Sequence, residues 1–201
     1  QGDLEKANNN RENVPWIVFF AHRPMYSSNG DDEGHGSEIE FREAMEPLLF
    51  EYGVNLAIYG HDHHYERTYP VFQEEVYSNN SGNMSNPYYN PGATIHIVAG
   101  NSGREVYDGL VEPQPEWSAY REVSYGYTKF DATKTSINYK FIRNSDGSIG
   151  DEFWLFNTDS SNLTDDGENN RMNKSLSSLS FIQTIIIFVV STTIIRKKDN
   201  D

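Results

Sequence analysis

Residues 60–67 read Gly-His-Asp-His-His-Tyr-Glu-Arg and contain the side chains of this chain that are best suited to metal chemistry. They follow an apolar run that is typical of a buried strand. In an extended backbone alternate side chains point the same way, so His61 and His63 are expected to share one side. Asp62 and His64 would then face the other side. Two imidazoles that converge at the end of a strand are a natural pair of metal ligands, although such spacing also arises by chance in solvated loops.

Another histidine follows a second strand-like run earlier in the chain. Residues 16–21 are apolar, and His22 comes directly after them. If the two strands are neighbours in a parallel sheet, their carboxyl ends meet at one edge of that sheet. His22, His61 and His63 would then present three nitrogen ligands to one cleft.

The composition limits the kinds of site and partner. The chain has 201 residues, which suits one domain or part of one, and its net charge of −14 argues against binding of a nucleic-acid backbone. A small phosphate ester remains compatible with this charge, because bound cations supply local positive charge. The chain has no cysteine, which excludes disulfides and thiolate ligands within it. Since it begins without an initiator Met or a signal peptide, we expect it to be the C-terminal portion of a longer protein.

The first half of the chain has the order strand, helix, strand. Apolar runs predict strands at 14–21 and 54–59, and a helical apolar stripe predicts a helix between them. Ser37 followed by Glu40 is typical of a capping box, which would make Ser37 the N-cap of this helix. This order predicts a parallel strand pair joined by a crossover helix, and hence an α/β first half.

The second half is rich in predicted strands. A strand at 94–99 ends in a glycine-rich turn, and the runs 125–131 and 135–142 predict a hairpin. A last strand is predicted at 151–156. His96 lies in the middle of a strand among apolar residues, so it is interpreted as a packed structural histidine.

The segments between these elements are polar or rich in proline, and we expect them to be irregular. They are residues 1–13, 22–36, 77–92 and 104–122.

The C-terminal part changes abruptly in composition. Residues 158–175 are rich in Ser, Asn, Thr and Asp and are predicted to form a polar tether. Residues 176–195 carry no charge and are long enough for a transmembrane helix, and the tail 196–201 begins with a basic cluster. A GPI-attachment signal is the alternative for the apolar segment. In either case the basic cluster predicts that the folded part lies on the non-cytoplasmic side.

N-glycosylation sequons begin at Asn79, Asn83, Asn162 and Asn173. The chain is so rich in Asn, Ser and Thr that chance alone accounts for them, so they do not identify a compartment.

Two blocks resemble the purple acid phosphatases of the metallophosphoesterase superfamily. These are Pro15–Tyr26, which contains His-Arg-Pro-Met-Tyr, and Gly60–Arg67 with its Gly-His-x-His pattern. The segments 94–103, 125–127 and 146–154 agree, and the resemblance covers about residues 14–157. It implies an α+β sandwich of the metallophosphoesterase type, with residues 1–157 as the C-terminal portion of the catalytic domain.

The resemblance also implies a dinuclear metal centre. His22 and His61 would bind a divalent ion (zinc, iron or manganese), and His63 would bind Fe(III). The Asp, Tyr and Asn ligand blocks of the family are absent here and are expected upstream, so the isolated chain is expected to be inactive and to bind metal poorly. His35 is a candidate acid for the leaving group, with a solvated loop histidine as the alternative.

The expected function is hydrolysis of phosphate monoesters to orthophosphate, with a small phosphate ester as the partner. The alternatives are a non-catalytic cell-surface binding module of the same fold and a phosphodiesterase of the same superfamily. A membrane-anchored location in the secretory pathway, at the cell surface or in a lysosome-like compartment is expected. The sequence does not indicate an oligomeric state.

Overall fold

The computed structural model describes residues 1–30, 34–157 and 188–189. Within these residues the chain forms two helices and eleven strands. The helices are α1 (Gly2–Asn9) and α2 (Ile39–Glu51), and the strands are β1 (Val18–Ala21), β2 (Leu56–Tyr59), β3 (Tyr65–Phe72), β4 (Glu75–Val76), β5 (Tyr88–Tyr89), β6 (Thr94–Ala99), β7 (Ser118–Glu122), β8 (Gly126–Ala132), β9 (Ser136–Arg143), β10 (Ile149–Phe156) and β11 (Phe188–Val189).

The larger sheet contains the strand–helix–strand unit that the sequence predicts. Its strands lie in the order β11-β1-β2-β6-β3-β4, and β7 also pairs with β3. The strands β1, β2 and β6 are parallel, with Ala21 opposite Tyr59 and Tyr59 opposite Val98. Their carboxyl ends therefore meet at one edge of the sheet, which is where sites form in such sheets.

The smaller sheet has the order β5-β10-β9-β8, and β8, β9 and β10 pair in antiparallel fashion. The predicted hairpin is confirmed as β8 and β9, and the predicted last strand lies within β10.

The main hydrophobic core lies between the two sheets. On the side of the larger sheet it contains the alternate residues of β2 and β6, and on the other side those of β9 and β10: Leu56, Ile95, Ile97, Ile137, Tyr139, Phe141, Phe153 and Leu155. Tyr65 stacks on Phe141 with ring centroids 4.3 Å apart. A second cluster, which includes Phe19, Leu49 and Ala57, packs on the opposite face of the larger sheet beneath α2. This layering confirms the predicted α+β sandwich.

The prediction of a loop at residues 1–13 is wrong, because α1 occupies most of this segment. Leu4 and Ala7 are three residues apart, so in a helix they share the face that packs against the second cluster. After the helix, Arg11 donates to the carbonyls of Tyr52 and Gly53 at 2.6 and 2.7 Å, which holds the segment against the end of α2.

The prediction that Ser37 caps α2 is also wrong. The helix begins at Ile39, and its N-cap Glu38 makes no side-chain capping bond. Ser37 Oγ instead donates to the carbonyl of Ser27 at 3.1 Å and accepts from the Ser27 N–H at 3.0 Å. The hydroxyl thus fastens the loop that follows β1.

The apolar pattern does not predict β3 or β7, and the expected irregular segment 104–122 ends in β7. The strand β3 buries the polar side chains of Glu66, Arg67 and Thr68, and its pairing with β6 shifts register between Arg67 and Pro70. Buried polar groups are tolerated where each finds a hydrogen-bond partner. Ser118 of β7 supplies one by donating to Glu66 Oε1 at 2.6 Å.

The predicted tether (158–175), apolar segment (176–195) and tail (196–201) lie outside the described residues, except for β11. This two-residue strand pairs in parallel with β1. Among the described residues no helix combines the length and the apolar character needed to span a membrane. The transmembrane helix and the GPI signal therefore stay predictions.

A buried ion pair joins the two sheets. Arg67 Nε and Nη2 donate to the two oxygens of Asp151 at 2.6 and 3.0 Å. The hydroxyl of Tyr65 donates to the same carboxylate at 2.9 Å, and Arg67 Nη1 donates to Tyr88 Oη at 3.1 Å. Although burial acts to lower the pKa of Arg67, the Asp151 carboxylate raises it above the ordinary value.

We expect Arg67→Met to lower the free energy of unfolding by about 3–5 kcal/mol, because Asp151 is then buried without its counter-charge. Urea unfolding measures this change. The control is Lys140→Ala, which removes the partly exposed pair with Glu152 at 3.3 Å; it should cost less than about 1 kcal/mol. Equal effects of the two substitutions would contradict the assignment of Arg67.

His96 is packed inside the larger sheet, as predicted. Its side chain is 1% exposed, and its Nδ1 lies 2.9 Å from the hydroxyl of Tyr59. Burial lowers the pKa of His96 to about 3, so the folded protein holds this ring neutral.

The free energy of unfolding should therefore fall as the pH drops from about 6.5 towards 3. In this range His96 binds a proton in the unfolded chain but not in the folded protein. Between pH 4 and 6, His96→Phe should reduce the slope of unfolding free energy against pH by about 1.4 kcal/mol per unit. Denaturant unfolding at several pH values measures this slope. An unchanged slope would show that the folded protein protonates His96.

Candidate metal centre

The carboxyl ends of β1 and β2 bring His22 and His61 into contact. The Gly60 N–H donates to the carbonyl of His22 at 3.1 Å, which continues the parallel pairing beyond the strands. The nearest ring nitrogens, His22 Nε2 and His61 Nδ1, are 3.1 Å apart. Two nitrogens bound to one tetrahedral zinc ion at about 2.0–2.1 Å each lie about 3.3 Å from one another. This separation suits two ligands of one metal ion, and it is also that of an N–H···N hydrogen bond between the two rings.

Backbone carbonyls fix which nitrogen the rings offer. The carbonyl of Gly34 lies 3.0 Å from His61 Nε2, so this nitrogen donates and the lone pair of the neutral ring is on Nδ1, towards His22. The carbonyl of Glu105 lies 2.8 Å from His63 Nδ1, so the free nitrogen of His63 is Nε2. Metal-binding histidines commonly have such an outer hydrogen bond, which sets the tautomer.

These three histidines line one pocket of about 450 Å³. The structure therefore brings together His22, His61 and His63, the three predicted ligands. The other lining residues are His35, Gly60, Gly100, Arg104 and Tyr107.

The electrostatics favour a neutral imidazole at His22. Burial lowers the pKa of His22 below its ordinary value, and the positive charges of His61 and Arg23 act in the same direction. Neutral imidazole is the form that binds a metal ion.

The histidine loop, residues 60–64, directs alternate side chains to opposite sides as predicted, although its backbone is not extended. His61 has a φ of 65°, in the left-handed region. His61 and His63 reach the pocket, whereas Asp62 and His64 are fully buried. Non-glycine residues in this region are uncommon and are often found at functional sites.

Gly100 explains how this loop is held against the end of β6. A Cβ atom at this position would lie 2.2 Å from the carbonyl oxygen of Asp62. The backbone at residue 100 therefore packs directly on the histidine loop, and only glycine permits this approach.

His35, the candidate acid for the leaving group with a solvated loop histidine as the alternative, lines the pocket. Its side chain is 14% exposed, and its ring stacks on His61 with centroids 4.7 Å apart. Its Nδ1 lies 3.0 Å from Asp62 Oδ1.

His35, His61 and Asp62 also offer ligand atoms that lie within 4.8 Å of one another. The Asp62 carboxylate is a poor ligand in this arrangement, because Ser27 Oγ and the Gly36 N–H already donate to its second oxygen. Within this group, a hydrogen bond joins His35 to Asp62, and ring stacking joins His35 to His61.

Glu66 is buried beneath the loop of residues 60–64 and holds it through hydrogen bonds. It is 1% exposed and accepts from the Ser28 N–H, His64 Nε2 and Ser118 Oγ at 2.7, 3.1 and 2.6 Å. Although burial acts to raise it, the hydrogen bond from His64 helps to hold the pKa of Glu66 below its ordinary value. Loop structure is therefore its role.

Sequence reasoning missed Arg104 and Tyr107, which lie on the loop that follows β6. Tyr107 stacks on His63 with centroids 4.4 Å apart and meets His35 edge-on at 4.7 Å. A signal was present, because 94–99 was predicted as a strand and its carboxyl end belongs at the same sheet edge as His22.

Comparisons with known proteins identify the family of this chain. Residues 2–65 match the family model described as calcineurin-like phosphoesterase, and residues 93–152 match that of iron/zinc purple acid phosphatase-like protein C. The acid phosphatase type 7 of Homo sapiens is 37% identical over 167 residues, which cover 77% of this chain and 37% of that protein. A probable inactive purple acid phosphatase 1 of Arabidopsis thaliana is 38% identical over 153 residues, or 74% of this chain and 24% of that protein.

A solved structure also supports membership of this family. The purple acid phosphatase from yellow lupin (Lupinus luteus) seeds superimposes with a TM-score of 0.69 at 31% identity, over 78% of this chain and 28% of that one. The chain thus spans about a third of the length of the human relative that it matches. Two family models, relatives and a solved fold converge on one assignment: the chain belongs to the purple acid phosphatase family of metallophosphoesterases.

Proposed function

We propose that this protein hydrolyses phosphate monoesters to orthophosphate at a dinuclear metal centre. The observation that carries the proposal is the 3.1 Å approach of His22 Nε2 and His61 Nδ1 in a pocket that His63 also lines. The acid phosphatase name of the human relative supports this class of reaction.

The histidines divide between two metals in this proposal. His22 and His61 hold a divalent ion (zinc, iron or manganese), and the free Nε2 of His63 binds Fe(III). Imidazole is a borderline ligand that suits these ions. Two bound cations lower the pKa of water and neutralise the charge on the phosphoryl group.

The residues of the pocket provide the remaining functions. Among the described residues that line it, none carries a carboxylate. Arg104 at the rim attracts the phosphate through its guanidinium group. His35 donates the proton that the leaving oxygen requires.

The natural partner is a small phosphate ester. We also propose that residues 176–195 attach the protein to a membrane, which requires Phe188 and Val189 to leave their pairing with β1, and that the pocket lies in the secretory pathway, at the cell surface or in a lysosome-like compartment. The uncharged composition of that segment and its basic C-terminal flank support this location.

Zinc titration by calorimetry tests the ligand set. The chain of 201 residues should bind zinc weakly, and His61→Ala should weaken binding by at least about tenfold, because a direct ligand is lost. His35→Asn is the control and should leave the affinity unchanged. A loss with His35→Asn as large as that with His61→Ala would instead support a site formed by His35, His61 and Asp62.

Turnover tests the reaction. In the full-length protein, His61→Ala should abolish release of orthophosphate from a monoester, whereas Lys140→Ala, which lies in the smaller sheet, should not. Unchanged turnover in His61→Ala would contradict the proposal. A substrate panel that includes diesters separates a monoesterase from a phosphodiesterase.

The name of the Arabidopsis relative favours one alternative, a non-catalytic module of the same fold. A metal-loaded wild-type protein that hydrolyses neither monoesters nor diesters would establish that alternative.

A further inference from the structure

Asp62 lies between two proposed metal ligands in sequence but faces away from the metal pocket. Its side chain is 0% exposed, whereas His61 and His63 line the pocket. A carboxylate buried in this way requires hydrogen-bond partners, since transfer of a charge from water into the protein is costly.

All of its side-chain partners come from the loop that follows β1. The Ser27 hydroxyl and the Gly36 N–H donate to Oδ2, the latter at 3.0 Å, and His35 Nδ1 lies 3.0 Å from Oδ1. Gly36 has a φ of 97°, and a Cβ atom there would lie 2.8 Å from the carbonyl oxygen of Asn29. The loop is therefore shaped to bring these donors to one carboxylate.

This contact bears on the tautomer of His35. With Asp62 as a carboxylate, which can only accept hydrogen bonds, His35 Nδ1 is the donor of the 3.0 Å contact. Nε2 is then the nitrogen that the neutral ring offers as an acceptor. The ring itself is confined, because it stacks on His61 at 4.7 Å and Tyr107 meets its edge at 4.7 Å.

We propose that Asp62 is a positioning residue that holds His35 with its proton on Nδ1 and its Nε2 turned to the metal pocket. The catalytic consequence rests on the proposed function. As water attacks phosphorus and the bond to the ester oxygen breaks, that oxygen takes a proton from Nε2 of a His35 ring that the contact between Nδ1 and Asp62 holds in place.

Asp62→Asn tests the tautomer directly. The Gly36 N–H can only donate, so the amide oxygen must face it and the amide nitrogen must face His35. His35 Nδ1 then becomes an acceptor, and the proton moves to Nε2. Nitrogen-15 spectra of the metal-free chain, at a pH where the rings are neutral, distinguish the two tautomers.

The expected result is a His35 protonated on Nδ1 in the wild type and on Nε2 in Asp62→Asn. Ser27→Ala is the matched control, because it removes another hydrogen bond of the same carboxylate and should leave the tautomer unchanged. A wild-type His35 protonated on Nε2, or no switch in folded Asp62→Asn, would overturn the inference. The wild-type spectrum decides this point even if Asp62→Asn does not fold.

Kinetics of the full-length protein test the consequence. Asp62→Asn should reduce kcat for an alkyl phosphate, whose leaving group needs a proton, by at least about tenfold more than for p-nitrophenyl phosphate. In a His35→Ala background Asp62→Asn should have no further effect, because both changes remove one function. Additive losses would indicate a merely structural role. A wild-type protein without turnover would contradict the proposed function, whereas the tautomer measurement judges Asp62 independently.

Discussion

The parallel pairing of β1 with β2 is the constraint on which the site depends. It places Ala21 opposite Tyr59, so that the next residues of each strand, His22 and Gly60, leave the sheet side by side. The third parallel strand, β6, ends at the same edge and supplies the loop with Tyr107. The core beneath α2 and the core between the sheets hold the three strands in this register, since a slip by one residue would exchange the two buried faces.

Along residues 61–66, side chains that reach the pocket lie beside polar side chains that are buried beneath it. The pocket side carries imidazoles, and the opposite side buries Asp62, His64 and Glu66. The buried side chains bond to the loop after β1 and to β7, so distant segments are fixed to the histidine loop by charge-assisted hydrogen bonds. Packing and polar contacts thus have separate tasks: packing sets the strand register, and the buried polar groups set the directions of the rings.

Sequence patterns predicted the elements that depend on residues close together along the chain or on regular strand geometry. Strand β6 and the β8–β9 hairpin follow from apolar and turn patterns, and the convergence of His22 with His61 follows from the geometry of parallel strands. Strand β3 could not be predicted in this way, because Glu66 and Arg67 are buried through partners about 52 and 84 residues away along the chain. The same reason applies to Ser37. Its hydroxyl donates to the carbonyl of Ser27 instead of capping α2, and the local capping pattern does not indicate this contact. The position of His35 likewise depends on a carboxylate 27 residues away.

The contact between Gly100 and the Asp62 carbonyl has a consequence for engineering of the pocket. Since a methyl group at residue 100 would collide with the backbone, substitution there displaces His61 and His63 rather than reshaping the cavity. Libraries that aim to reshape the pocket should therefore keep this glycine and vary the solvent-facing rim, beginning at Arg104. Loss of activity from a change at residue 100 would report a shifted backbone and would carry no information on selectivity.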